Sequence, residues 1–436
     1  MLLYPVLALA AGLACVYLAA RYTRDNITTL AVSLCFLMSS VLVLLAFCRF
    51  SGSQSLPFLN GLFVLEITPL AVAGSFLLVV VSISWQVLCL PAVPAQLLPQ
   101  TCALHYLLIL ASLGSILSGD LLSFALFFEG ASLFALALAL CGTQPRTSPY
   151  QHVLYFLPFL MLLGFVAGAA DGTHEIGGIA LGGGLSVLLA LVLASRVLFF
   201  PFGWPALKVV PSGATAGAPH VLLFLPTVAV YAIVKFLPQS GSLNRVMLIL
   251  AGISTVAFVL LCYRQREPSL ITLYSYLAQT ATVVSVVVYG LSMGRPLHEA
   301  SFLVLGNHVV SSMGMLLCLS GEDTVRGRFG SLAHLFFVFC MLGLPPSPGF
   351  FGRLELFKAS LGAHDLSGYL LRLSFLANLF VVYCQSKQLA PVIEQIKNGA
   401  KTPGRTLISL GLLAVCLIAG IVFLRQVQEY LAGLVA

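Results

Sequence analysis

Long apolar runs separated by short polar links dominate this chain. Runs near bilayer length fall at roughly 2–20, 29–48, 62–90, 101–118, 120–141, 152–170, 178–199, 218–237, 244–262, 268–290, 300–320, 331–348, 366–386 and 405–425. A helix needs about 20 apolar residues to cross hydrocarbon, so the pattern predicts an all-α polytopic membrane protein with about 14 transmembrane helices. No polar stretch is long enough to fold as a soluble domain. The opening Met1-Leu-Leu-Tyr-Pro5 is apolar at once and lacks a basic leader, so it reads as the start of a first transmembrane helix.

Two runs carry internal breaks. One is Ser195-Arg-Val-Leu-Phe-Phe-Pro201-Phe-Gly-Trp-Pro205, and the other is Gly343-Leu-Pro345-Pro346-Ser-Pro348-Gly349-Phe-Phe-Gly352-Arg353. Proline removes a backbone donor and clashes with the preceding turn, so each helix should stop there. A broken helix survives at membrane depth only where protein or water satisfies the freed backbone groups. Each break also sits beside an arginine, Arg196 or Arg353. Paired breaks in corresponding halves point to inverted repeats around an ion path. The predicted division is 1–100 (about three helices), 101–237 and 244–386 (inverted repeats of five helices each), and 387–436 (a loop and a last helix).

Composition supports this class. The 436 residues are 60% hydrophobic and 8% charged, with mean hydropathy +1.05. Net charge is +7, without a dense basic run interleaved with aromatics, which argues against a nucleic-acid partner. The 11 cysteines are scattered through apolar runs without a CxxC pair and read as small buried hydrophobes. With the N-terminus outside, inside loops hold Arg21, Arg24, Arg146, Lys208, Arg264, Arg266, Arg326, Arg328, Lys387, Lys397, Lys401 and Arg405. Outside loops hold Arg49, Lys235, Arg245, Arg295, Lys358 and Arg425. This bias places both termini outside.

One run, 120–141, has a carboxylate, Glu129, near its middle. A charge at that depth is costly and calls for a partner in protein or water. The neighbouring Asp171-Gly-Thr-His174-Glu175 supplies too few ligands for a metal, and the glycines at 177, 178 and 182–184 suit close helix packing better than a nucleotide loop. No cofactor motif and no metal site stand out. The bases Lys397, Lys401 and Arg405 suit inner lipid headgroups.

These residues resemble the antiporter-like membrane subunits of respiratory complex I, with relatives in membrane-bound hydrogenases and Mrp-type antiporters. The likeness covers about 60–386 and is carried by Asp120 to Glu129, Arg196 to Trp204, Tyr274-Ser275 with Gln279, Asn307-His308, and Gly343-Leu-Pro-Pro-Ser-Pro-Gly-Phe-Phe-Gly-Arg353. The resemblance implies a fourteen-helix core, two inverted five-helix repeats and both termini outside. It also implies a line of buried ionisable groups carrying protons. Glu129 falls on the family's glutamate, and Arg196 on a lysine of the first broken helix. Thr227 falls where the family has a lysine, and His308 on a histidine whose following lysine becomes Ser312. Arg353 falls on a lysine or glutamate of the second broken helix, and Glu66 on an aspartate before the third helix. Lys208, His220 and His334 are further titratable candidates.

Lysine can exchange protons when burial lowers its pKa, whereas arginine stays charged. The chain therefore keeps cations at both breaks and loses their titratability. Two readings stay open. In one, Glu129 and His308 are linked by water and hydroxyls, with the arginines as electrostatic gates. In the other, Glu129–Arg196 is a structural ion pair, and Arg353 pairs with Glu355 or a backbone carbonyl. The expected role is a membrane-arm subunit of a complex I-like redox-driven pump of NADH:quinone oxidoreductase or hydrogenase type, moving protons or sodium. Alternatives are a non-conducting structural subunit and a Mrp-type cation/proton antiporter subunit. Expected partners are other membrane subunits and the lipid bilayer of a bacterial or archaeal plasma membrane.

Overall fold

The computed structural model describes residues 3–23, 25–47, 54–58, 63–90, 93–141, 183–203, 220–236, 241–293, 295–320 and 328–387, with short pieces between 393 and 418. The expected span at 152–170, the loop around His174, Lys208, Pro205 and most of the last span lie outside these residues, as does the His220 side chain. In chain order the elements are α1 (Leu3–Thr23), α2 (Asn26–Phe47), β1 (Gln54–Phe58), β2 (Phe63–Ile67), α3 (Pro69–Cys89), α4 (Leu98–Leu117) and α5 (Leu121–Leu140). Then come α6 (Gly183–Arg196), a π-helical turn (His220–Phe224) running into α7 (Leu225–Phe236), α8 (Gly241–Arg264) and α9 (Pro268–Ser292). The series ends with α10 (Arg295–Ser320), α11 (Arg328–Leu342), α12 (Pro348–Gly362) and α13 (Leu366–Ser386).

Side-chain caps set several helix starts. Asp25 accepts from Thr28 Oγ1 at 2.5 Å and from the backbone N–H groups of Thr28 at 2.9 Å and Ile27 at 3.3 Å, opening α2. The Thr28 hydroxyl, then the two N–H groups, hold this exposed carboxyl below the usual carboxylate range. Asp120 accepts from Ser123 N–H at 2.8 Å and from the Ser123 hydroxyl, and Asp365 accepts from Gly368 N–H at 2.9 Å. Thr68 accepts from Ala71 N–H at 3.1 Å, with Pro69 at the first helical position of α3.

Thr68 and Pro69 also correct the expected run at 62–90, which is not one span. The residue before a proline is kept out of helix, so the chain is extended up to Thr68 and helical after it. β2 pairs antiparallel with β1, Ser55 opposite Glu66 and Phe58 opposite Phe63. The helical fold therefore carries one small hairpin among the described residues.

The chain divides into two compact units, 1–179 with 208–231, and 180–207 with 232–436. In the first unit, Ser33 of α2 donates to Gln86 of α3. Tyr106 of α4 donates to the Ser33 carbonyl at 3.0 Å. Next to this junction the Trp85 and His105 rings stack with centroids 4.3 Å apart. Burying three polar side chains in mutual contact removes the cost each would carry alone.

In the second unit α9 is the central helix. Its apolar window is wholly buried, yet it carries Ser275, Gln279, Thr280, Thr282 and Ser285, all buried. Against it run α8, α10 and α13, and α12 crosses α10 where glycines allow close approach. A Cβ on Gly352 would lie 2.5 Å from the Ala300 carbonyl oxygen, and one on Gly349 would lie 2.5 Å from Asn307 Nδ2. Such small-residue contacts serve helices that lack a hydrophobic drive to associate in lipid. Five described helical stretches are long and apolar enough to cross a membrane: Leu98–Leu117, Leu243–Arg264, Leu270–Ser292, Glu299–Cys318 and Leu366–Ser386.

Gly352→Ala should therefore force α10 and α12 apart and destabilise the protein by about 1–3 kcal/mol. Gly306→Ala on α10, where a Cβ meets nothing within 4 Å, should leave stability unchanged. Thermal unfolding of both variants in the same detergent checks the contrast.

Candidate functional site

The second break holds a polar centre whose members are all among the described residues. α11 ends at Leu342, Pro345 and Pro346 occupy the turn, and α12 restarts at Pro348. Gly343 takes φ +67°, the left-handed conformation that glycine tolerates at a helix end. The Leu344 N–H reaches back to the Phe339 carbonyl at 3.1 Å and closes the last turn.

Ending α11 here frees carbonyls in a region that elsewhere is packed with apolar side chains. Side chains from three other helices satisfy them. Asn307 Nδ2 of α10 donates at 2.7 Å to the Cys340 carbonyl, which also accepts from the Gly343 N–H at 3.0 Å. Arg353 of α12 donates through Nη2 to the Met341 carbonyl at 3.1 Å and through Nη1 to the Leu342 carbonyl at 2.7 Å. Asn378 Nδ2 of α13 adds a second donor to Leu342 at 3.2 Å. The central helix then locks the donors: Arg353 Nη2 donates to Gln279 Oε1 at 3.0 Å, and Gln279 Nε2 donates to Asn378 Oδ1. Gly343 and Gly349 leave room for this clamp, since a Cβ on Gly343 would sit 2.7 Å from Arg353 Nε.

Arg353 is 5% exposed. Of the two partners expected for it in a structural role, the backbone carbonyl is the one found. Glu355, the other, is exposed on α12. The guanidinium instead caps the C-terminal end of α11, where a cation also complements the helix dipole.

A second polar group sits between α9 and α10. His308 Nε2 lies 3.1 Å from Thr280 Oγ1, and its Nδ1 lies 3.4 Å from Ser312 Oγ. The Tyr276 ring stacks on the imidazole at 5.8 Å with planes 5° apart. Asn307 precedes His308 in the chain and belongs to the carbonyl clamp, so the two polar groups adjoin along α10. His308 and Ser312 are thus in contact, and Thr280 is a neighbour that sequence reasoning missed.

The first break repeats the backbone of the second. α6 ends at Arg196, and Leu198 takes φ +65°, as Gly343 does in the other break. The Phe199 N–H reaches the Ala194 carbonyl at 2.9 Å, matching Leu344 to Phe339. The peptides Phe200–Pro201 and Pro345–Pro346 are both cis. Ser254 Oγ of α8 accepts from the Phe200 N–H at 3.1 Å. A leucine at positive φ costs about 1–2 kcal/mol, which the buried position of Leu198 must offset. The breaks therefore align Leu198 with Gly343, and the arginines lie on opposite sides: Arg196 before its turn, Arg353 after it.

The remaining candidates are placed as follows. Glu129 is 5% exposed on α5 in the first unit, and Arg196 is 4% exposed in the second. Glu66 is half-buried on β2, near Thr68 and Tyr231. Thr227 donates to the Leu223 carbonyl at 2.7 Å, across the step from the π turn into α7, so its hydroxyl serves its own helix. His334 is half-buried on α11. Pro201 is exposed in the first turn, whereas Pro348 and Gly349 are buried at the start of α12. Among the described residues no three histidine, cysteine or acidic side chains gather to hold a metal ion. Sequence reading missed Asn378; an amide within an apolar run was the available signal.

No family model matches the chain. Over 341 residues it is 26% identical to NADH-quinone oxidoreductase subunit N 1 of Sorangium cellulosum (strain So ce56), a match spanning 65% of this chain and 67% of that protein. It superposes on a chain of the membrane-bound sulfane sulfur reductase, an archaeal respiratory membrane complex. There the TM-score is 0.81 at 17% identity, over 98% of this chain and 95% of the other. A chain of the Mrp complex from Dietzia sp. DQ12-45-1b gives 0.80 at 15% identity, over 99% and 96%. A chain of respiratory complex I from Thermus thermophilus gives 0.73 at 18% identity, over 99% and 100%.

The fold is shared with chains of these membrane complexes, and the chain is an integral membrane protein with that class of fold. Within the class, its sequence similarity is to a subunit N of NADH-quinone oxidoreductase.

Arg353→Met removes the donor to Met341 and one of the two to Leu342. The Met341 carbonyl is then left buried without its donor, at a cost of about 1–3 kcal/mol. Arg353→Lys, which keeps the charge but not the fork, should recover only part of this loss. Thermal midpoints of the two variants in detergent give the measurement.

Proposed function

We propose that the chain is a membrane-arm subunit of a complex I-like redox-driven ion pump, of NADH:quinone oxidoreductase or hydrogenase type, and that it takes part in proton translocation. The observation that carries this reading is His308. It is a titratable ring buried in the second unit, flanked by the hydroxyls of Thr280 and Ser312 and adjoining a helix break that holds a buried cation. A ring with two nitrogens between two hydroxyls can take a proton on one side and release it on the other. The likeness to antiporter-like subunits supplies the context.

On this reading the path has two titratable stations, Glu129 and His308, in the proposed repeats 101–237 and 244–386 of a core of about fourteen spans. Arg196 is a fixed charge of the proposed path. Arg353 stays charged and repels a second cation from the His308 station. Lys208 and Glu66 are secondary charges along the route. Partners are neighbouring membrane subunits and the lipid of a bacterial or archaeal plasma membrane. Both chain termini face outside, and the ion is a proton or sodium.

A second reading has its own support. Every hydrogen bond of Arg353 goes to a neutral group and closes a helix end, which suits a non-conducting structural subunit of the same kind of complex. Reconstituted complexes carrying Glu129→Gln or His308→Leu separate the two. The pumping reading expects fewer ions moved per electron transferred, with assembly retained. Unchanged stoichiometry in both variants gives the role to the scaffold.

A further inference from the structure

Among the described helices long and apolar enough to cross a membrane, α13 is the least covered, with only 28% of its apolar window buried. Leu373, Leu376, Leu379 and Phe380 are exposed along it, and α8, packed beside it, adds Ile253 and Leu260. At 21 residues α13 is roughly 31 Å long, close to the thickness of a hydrocarbon layer.

A base and tyrosine close this stripe at each end. Near the start of α13, Arg372 lies over Tyr369, 4.4 Å from the ring centre. Its guanidinium is already committed, donating to the Gly368 carbonyl at 3.1 Å and the Ala363 carbonyl at 2.9 Å. The other end differs. Lys387 Nζ sits 4.8 Å from the Tyr263 ring centre on α8 and 4.9 Å from the Tyr383 ring centre on α13. Lys387 and both tyrosines are exposed. Aromatic faces hold a cation in place without neutralising it, so its three N–H donors stay available. Arg264 and Arg266 follow Tyr263 and are exposed, with Glu267 as the one acid in that turn.

We propose that the corner formed by Lys387, Tyr263 and Tyr383, with Arg264 and Arg266 beside it, binds the headgroup of an anionic phospholipid whose acyl chains lie along the α8–α13 stripe. The chemistry is complementary at each level. Exposed aliphatic side chains meet acyl chains, tyrosines mark the interface, and bases meet the phosphate. The charge bias of the loops places this end inside, facing the anionic leaflet. The site is independent of the ion path and stands whether or not the subunit conducts.

The test uses the full-length protein in mixed micelles of phosphatidylglycerol and phosphatidylcholine, with bound lipids counted by native mass spectrometry. The wild type should retain phosphatidylglycerol in preference to phosphatidylcholine. Lys387→Gln should cut that preference about fivefold, and Lys387→Gln with Arg264→Gln further. Lys387→Arg should keep it. Equal retention of the two lipids by the wild type, or an unchanged preference in Lys387→Gln, overturns the proposal. So does a photocrosslinker at Phe380 that joins another protein subunit, rather than lipid, in the intact complex.

Discussion

A helix that stops inside a packed interior leaves carbonyls that no water is at hand to satisfy, and the second unit of this protein is built around that constraint. Met341 and Leu342 end α11, and a buried carbonyl left without a donor costs about 1–3 kcal/mol. Donors arrive from α10, α12 and α13, and α9 ties two of them together through Gln279. Each donor must come from a helix in the right register, so the clamp fixes the relative positions of five helices, α9 to α13, at once. The glycines follow from it. Gly343 turns the chain at positive φ and clears Arg353, and Gly349 clears Asn307.

This arrangement changes the meaning of the buried arginine. A guanidinium offers five donors in a fixed fork and does not release its proton, which is what a permanent helix cap needs and a proton carrier does not. On the proposed reading, proton chemistry in this unit falls to His308, whose neighbours are hydroxyls and an aromatic ring. The two arginines are also not equivalent. Aligned on their turns, Arg196 ends the helix before its break, and Arg353 reaches back from the helix after its own. The same local backbone carries a cation on opposite sides, so one substitution pattern at both breaks does not imply one role.

The same unit shows how a membrane fold sorts its helices. α9 is apolar enough to cross a membrane, yet it is wholly buried and carries the polar residues the clamp and His308 use. α13 buries its Leu371, Ser374, Asn378 and Gln385 side and turns Tyr369, Leu373, Leu376, Leu379, Phe380 and Tyr383 outward. Hydropathy alone does not separate these two helices. Lipid is as apolar as leucine, so what distinguishes a central helix is the pattern of its polar groups.

Much of the fold was legible in the sequence because crossing a bilayer needs a long apolar run, and such runs announce themselves residue by residue. The run at 366–386 matches α13 at both ends, and 268–290 falls within α9. The run at 62–90 misled, because the alternation that forms β2 is itself apolar and only Thr68-Pro69 marks the change of structure. Candidate chemistry was legible as residue types: an acid at 129, arginines at 196 and 353, a histidine at 308. What those residues touch was not. Gln279 and Asn378 are 99 residues apart and meet across two helices, and Arg353 finds carbonyls 11 and 12 residues behind it because the chain doubles back through Gly343. The sequence by itself determined which segments enter hydrocarbon and which polar groups must go with them, since the cost of transfer is local. Only the tertiary structure decided who satisfies whom, because a hydrogen bond depends on where two distant segments come to lie.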